Sequence, residues 1–192
     1  GKRPAVILGF NRAEDIFLLE DFRALGADFQ ILHNEPNGVN INSGCGSTHM
    51  ESLQAYVREH HVDCGFAFDG DGDRCLAVDE RGELINGDQI MFACSKFMKD
   101  SGRLPDNTVV TTVMSNLGLY KAFDREGIAY EKTAVGDRFV YENMKANNHI
   151  IGGEQSGHII FRKYARTGDG VLTAIMLTEV MAETNLPLSA LT

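Results

Sequence analysis

The chain has 192 residues, 43% of them hydrophobic and 23% charged, an ordinary globular composition that excludes disorder, collagen and coiled coil. Eighteen basic residues face 27 acidic ones for a net charge of −9, which excludes a general nucleic-acid binder but leaves room for a small anionic substrate in an arginine-bearing cleft. Its apolar runs fall far short of the ~20 residues a membrane span needs, and no signal peptide opens it, so the expectation is a cytoplasmic chain with no membrane partner.

Short apolar strands alternate with amphipathic helical stretches. Residues 5–8 read as a buried strand, 14–25 as a helix stopped by Gly26, and 29–32 as a second strand. Turn chemistry at Asn34-Glu35-Pro36-Asn37-Gly38 opens a loop to about Thr48. A helix with Leu53 and Val57 inside follows, then strands at 64–68 and 75–78 flanking a glycine-rich acidic loop. A second cycle begins near Gly87. Asp88 is expected to cap a helix over 89–98. Strand 109–113, helix 117–126 stopped by Gly127, strand 129–131 and helix 138–147 come next. Ile150 and Ile151 lead into a polar loop, strand 159–161 follows, and Asp169 starts a long final helix. The expected fold is α/β: two small three-layer α/β/α domains with mixed, largely parallel sheets, divided as residues 1–86 and 87–192.

The four cysteines, Cys45, Cys64, Cys75 and Cys94, form no C-x-x-C pair, so buried thiols are expected rather than zinc or a redox site.

Asp69-Gly70-Asp71-Gly72-Asp73-Arg74 places three carboxylates at i, i+2 and i+4 between glycines, directly after an apolar strand. Carboxylates brought so close repel and raise one another's pKa, and a divalent cation removes that penalty. All-oxygen ligands select a hard ion such as Mg²⁺, Mn²⁺ or Ca²⁺. Glu80 nearly completes an EF-hand pattern, but Arg74 stands where that loop needs glycine and the flanks read as strands. Arg74 suits two roles, counter-ion to the aspartates or clamp on a phosphate.

Gly152-Gly153-Glu154-Gln155-Ser156-Gly157-His158 is the other dense polar loop. In an extended loop Glu154 and Ser156 point the same way and suit neighbouring sugar hydroxyls, while His158 suits an acid, base or phosphate donor. The competing reading is a tight turn that satisfies its own backbone. Asp137 suits a cap of the following helix, and Arg138, with the helix N-terminus, suits an anion. Arg166-Thr167-Gly168-Asp169-Gly170 reads as a capped helix start.

Together these segments resemble the α-D-phosphohexomutases. The acidic loop is similar to their metal loop and 152–158 to their sugar-recognition loop. Asn40-Ile41-Asn42, Cys45-Gly46-Ser47-Thr48-His49, Val135-Gly136-Asp137-Arg138 and Thr167-Gly168-Asp169-Gly170 strengthen the likeness. Gln155 and the Val-Gly-Asp-Arg segment point to the bacterial branch that acts on glucosamine phosphates. The resemblance implies the middle two of four domains, without the phosphoserine loop of the first or the phosphate-binding loop of the fourth. It implies a parent that interconverts glucosamine 6-phosphate and glucosamine 1-phosphate through a phosphoserine enzyme and a 1,6-bisphosphate, and an isolated chain without turnover. In that reading Asp69, Asp71 and Asp73 hold one Mg²⁺, and Arg74 and His158 are catalytic. Gly153, Glu154, Gln155, Ser156 and Arg138 contact the hexosamine phosphate. A homodimer is a further expectation. The alternatives are a parent acting on mannose or glucose phosphates and a non-catalytic, Mg²⁺-dependent sugar-phosphate-binding module. One departure is Gly9-Phe10-Asn11-Arg12, where the family often has an Asn-Gly-Ala type of turn.

Overall fold

The structure is a computed structural model that describes residues 5–9, 19–35 and 37–192. The expected helix before residue 19 and the departure at 10–12 lie outside these residues.

Five strands form the first sheet: β1 (Ala5–Gly9), β2 (Asp28–Leu32), β3 (Cys64–Phe68), β4 (Cys75–Asp79) and β5 (Leu84–Ile85), in the order β2-β1-β3-β4-β5. β1 runs parallel to β2 and β3, and β4 and β5 return antiparallel. The second sheet holds β6 (Thr108–Thr112), β7 (Ala129–Thr133), β8 (Ile151–Gly153) and β9 (Ile159–Phe161), in the order β7-β6-β8-β9. β6 is parallel to β7 and β8, while β9 is antiparallel to β8. The helices are α1 (Leu19–Ala24), α2 (Glu51–His60), α3 (Gly87–Asp100), α4 (Leu117–Glu126), α5 (Asp137–Asn147) and α6 (Gly170–Thr184), with a final 3₁₀ turn at Leu188–Ala190. The mixed, largely parallel α/β architecture expected from the alternation is present.

Packing explains the layers. β3 is buried at all five positions, as a strand covered on both faces must be. On one face α2 presses Leu53 and Val57, with Met50 just ahead of the helix, against Ala67 and Val78. On the far side of the molecule α5 sets Val140 and Met144 on Val110 and Ile160. α3 and α6 lie between the sheets: α3 packs on β4 and β8, and α6 on β3, β4 and β9. One continuous core therefore spans both sheets, through Phe66, Phe68, Ile90, Met91, Phe123, Ile151, Phe161 and Leu177. Each such side chain contributes about 1.5–3 kcal/mol by leaving water. All four cysteines are free and buried.

Two sequence expectations change. Asp88 does not cap α3. Asn86 does, in a capping box with Gln89: the Gln89 N–H donates to Asn86 Oδ1 at 3.2 Å and the Asn86 N–H to Gln89 Oε1 at 3.1 Å. Asp88 sits one position inside α3, where its Oδ2 accepts the Asn116 N–H at 2.6 Å. Leu84 and Ile85, where no strand is expected ahead of the boundary at 86/87, form edge strand β5 on β4. Asp169 caps α6 as expected, accepting from the Leu172 N–H at 2.9 Å.

Candidate functional site: two loops docked through their backbones

β3 delivers Asp69 to the carboxyl end of the first sheet, the end at which open α/β sheets place their sites. The chain then curls. Asp69 accepts the Gly72 N–H through its carbonyl at 3.3 Å and the Arg74 N–H through Oδ1 at 3.1 Å. The curl gathers one oxygen each from Asp69, Asp71 and Asp73 within 4.8 Å of one another. Asp71 is exposed and its two neighbours are half-buried. Loss of water around Asp69, together with the neighbouring Asp73 and Asp71 carboxyls, pushes its pKa from 3.8 up to about 6 despite the Arg74 N–H. Asp73 Oδ1 is buried with no hydrogen-bond partner. Arg74 Nε lies 3.6 Å from Asp69 Oδ2 and 3.9 Å from Asp73 Oδ1, so the guanidinium serves here as counter-ion. An all-oxygen, charge-crowded trio with an unsatisfied acceptor fits a hard divalent cation. The flanks are the antiparallel strands β3 and β4, which excludes the EF-hand, and Glu80 instead accepts the Ser189 hydroxyl and its N–H.

The segment 152–158 is not the extended loop that would point Glu154 and Ser156 the same way. It is a hairpin turn between β8 and β9, closed by Gly157 N–H to Glu154 O and Glu154 N–H to His158 O, each 3.0 Å. Gly153 is buried within β8, Glu154 and Gln155 are half-buried, and Ser156 is exposed at the tip. Glu154 Oε1 accepts the Gly136 N–H at 2.8 Å, which ties the turn to the loop before α5.

The two loops meet. The Cys75 N–H donates to Gly157 O at 3.0 Å, Arg74 and His158 form an antiparallel bridge, and the Gly87 N–H donates to Gln155 O at 3.0 Å. His158, 3% exposed, brings Nε2 to 3.4 Å from Asp73 Oδ2 and 3.9 Å from Asp137 Oδ2. The same Nε2 accepts the Gly168 N–H at 3.2 Å, so a neutral ring carries its proton on Nδ1, which is buried without a partner. Thus Asp69, Asp71, Asp73, Arg74, Glu154 and His158 belong to one constellation. Arg138 stays apart: its Nε donates to Glu142 Oε1 at 2.8 Å along the surface of α5. Asp137 is the first residue of α5 and makes no cap, because Gly136 takes that position.

Sequence reasoning passed over what stands behind the acidic loop. The Ser47 N–H donates to Phe68 O at 3.0 Å, and Ile41 and Asn42 crowd Gly70. The run Asn40-Ile41-Asn42 marked this segment without revealing its contact.

Comparison with known proteins agrees with this geometry. Residues 16–82 match the family described as phosphoglucomutase/phosphomannomutase, alpha/beta/alpha domain II, and residues 86–192 match its domain III. The phosphoglucosamine mutase of Lachnoclostridium phytofermentans is 61% identical over 170 residues, and that of Bacillus subtilis is 58% identical over 170 residues. Each match covers 88% of this chain and 38% of the relative, so the chain spans well under half the length of these proteins. A phosphoglucomutase/phosphomannomutase family protein from Burkholderia thailandensis superposes with a TM-score of 0.82 at 24% identity, over 99% of this chain and 42% of that one. Aspergillus fumigatus N-acetylphosphoglucosamine mutase, solved with GlcNAc-6P and magnesium, superposes with a TM-score of 0.77 at 16% identity, over 98% of this chain and 48% of that one. These two likenesses show the fold, whereas the matched domains show descent: the chain belongs to the phosphoglucomutase/phosphomannomutase family.

Proposed function

We propose that this chain is the central portion of a phosphoglucosamine mutase, dividing near residue 86 into a metal-holding and a sugar-holding domain. The parent reaction is the interconversion of glucosamine 6-phosphate and glucosamine 1-phosphate. The observation that carries the reading is the docking of the acidic trio, by backbone hydrogen bonds, onto the glycine-flanked turn. The 56–61% identity to curated phosphoglucosamine mutases supports this substrate over mannose or glucose phosphates.

In this reading Asp69, Asp71 and Asp73 hold Mg²⁺. A bound Mg²⁺ supplies charge neutralisation to a transferring phosphoryl group, the main demand of such chemistry. With the charge of the trio neutralised, Arg74 would be free to hold a phosphate oxygen in place of Asp69 and Asp73. The free oxygen of Glu154 and the Ser156 hydroxyl accept and donate to sugar hydroxyls, with Gly153 and Gln155 shaping the turn. His158 presents Nε2 to Asp73 of the acidic trio and holds its proton on the far ring nitrogen, Nδ1. Arg138 reaches a substrate phosphate only by releasing Glu142.

A chimera tests the proposal. Residues 20–190 replace the corresponding segment of the Bacillus subtilis enzyme, and turnover of glucosamine 6-phosphate is measured with Mg²⁺ and a sugar 1,6-bisphosphate primer. Sustained turnover with a preference for the glucosamine substrate is expected. A folded chimera that is inactive, or that prefers mannose phosphate, overturns the assignment. The isolated chain, without a phosphoserine loop, is expected to give no turnover in the same assay.

A further inference from the structure

The segment Thr167-Gly168-Asp169-Gly170 reads in sequence as a capped helix start, and Asp169 alone accounts for the cap. The two glycines need another reason. Neither has a positive φ, so no backbone angle demands glycine. Space does. A Cβ on Gly168 would lie 2.5 Å from both Cδ2 and Nε2 of His158 and 2.7 Å from the Asp73 carbonyl oxygen. A Cβ on Gly170 would lie 2.5 Å from the Arg74 carbonyl oxygen and 2.9 Å from that of Gly72. Both N–H groups are used: Gly168 donates to His158 Nε2 at 3.2 Å and Gly170 to Gly72 O at 2.9 Å. The turn is therefore wedged between the acidic loop and the histidine of the hairpin turn, and it touches both through bare backbone.

We propose that Gly168 and Gly170 are positioning residues, a brace at the head of α6 that sets the spacing of the acidic trio against His158. The brace rests on the metal-site reading above and goes beyond it. α6 suits this role. It is buried along most of its length and packs on β3, β4 and β9, so its first turn is fixed to the strands that carry both loops. A residue with a side chain at 168 has to push aside either the imidazole or the Asp73 backbone, and the carboxylate of Asp73 moves with the latter. Gly168 also fixes the histidine tautomer, because its N–H occupies the Nε2 lone pair.

The test compares the wild-type chain with Gly168→Ala and with Phe123→Leu, a core change in α4 remote from the site. The probe is Mn²⁺ alone, followed by electron paramagnetic resonance, with folding checked by circular dichroism. Gly168→Ala is expected to weaken Mn²⁺ binding at least tenfold while remaining folded. Phe123→Leu is expected to melt at a lower temperature and to bind Mn²⁺ within twofold of wild type. A folded Gly168→Ala that binds Mn²⁺ as wild type does overturns the brace. If wild type itself binds no Mn²⁺, the metal reading fails, and amide and imidazole ¹⁵N shifts of the metal-free proteins decide the brace. Joint movement of residues 69–74 and the His158 ring in Gly168→Ala supports it, and changes confined to 166–170 overturn it. If Gly168→Ala does not fold, hydrogen exchange in wild type decides. Gly168 and Gly170 amides as protected as those of Cys75 and Gly87 support the brace, and exchange at the rate of an open peptide overturns it.

Discussion

The acidic loop and the hairpin turn face each other across the site and are held by opposite means. At 69–74 the backbone serves to crowd charge. Two hydrogen bonds onto Asp69 close the curl, and the result is three carboxylates within 4.8 Å and an unsatisfied Asp73 oxygen. At 152–158 the backbone satisfies itself and then the first residues of β4 and α3, through Gly157 O to the Cys75 N–H and Gln155 O to the Gly87 N–H. One half of the site is assembled against its own electrostatics, a penalty that a bound cation would remove. The other is complete as a structure and offers a ligand only its outer surface.

The largest effect is therefore expected in the turn and should appear as lost stability. Gly157 has φ +94° and a missing Cβ whose place lies 2.3 Å from the Cys75 carbonyl oxygen. Gly157→Ala adds left-handed strain to a clash with backbone that cannot swing away. The expected cost is about 4 kcal/mol, read as a lower midpoint in urea unfolding. A shift under about 1 kcal/mol would show that the docking of the two loops is loose, and the contrast drawn above would fail.

The acidic loop should respond in ligand binding instead. Asp71 is exposed and adds its charge beside Asp69 and Asp73, so Asp71→Asn is expected to leave the melting temperature unchanged or raised. It removes one of the three carboxylates proposed to hold the cation, and Mg²⁺ affinity measured by calorimetry should drop about 100-fold. Equal losses of stability and affinity would mean that the trio is structural.

How much of this contrast was legible in the sequence depends on range. The trio was, because Asp69, Asp71 and Asp73 sit within five residues and end a buried strand. The layers were, because the 2.0 and 3.6 periodicities are local. The hairpin stayed open between two readings, since Glu154 and Ser156 look alike in an extended loop and a tight turn, and only the pairing of β8 with β9 selects the turn. Asp88 is a favoured cap residue placed two positions too late. Asn86 wins because Gln89 stands three residues after it. The contacts that make a site out of two loops were beyond reach. Gly168 to His158 and Gly136 to Glu154 join segments whose approach is set by the packing of α6 and α5, and no local pattern encodes that distance.

pH offers a finer probe of the same contrast. The Asp69 carboxyl in the metal-free fold holds its proton up to about 6, against 3.8 ordinarily, chiefly because it is withdrawn from water. Its folded pKa is raised, so the folded state binds more protons than the unfolded one between these values. Its contribution to stability is then fully present below 3.8 and is lost as the pH rises through 6. Asp69→Asn should remove that slope, and the difference in melting temperature between wild type and variant should grow across this window. Metal competes with the same proton, so Mg²⁺ affinity of wild type should decline below pH 6, by about tenfold per pH unit for one displaced proton. A flat wild-type profile would show that Asp69 is as well solvated as the tip of the turn.

The smallest effect belongs to that tip. Ser156 is exposed, and its side chain closes none of the hydrogen bonds that define the turn. Ser156→Ala should change stability by less than about 0.5 kcal/mol, because the turn is held by Gly157, Glu154 and His158 backbone groups. If the hydroxyl grips a sugar, the same variant loses one hydrogen bond to ligand, and the affinity of the chain for glucosamine 6-phosphate should drop about three- to tenfold by calorimetry. Unchanged affinity would confine the turn to its structural role and leave sugar recognition to the free oxygen of Glu154, whose other oxygen the Gly136 N–H already holds.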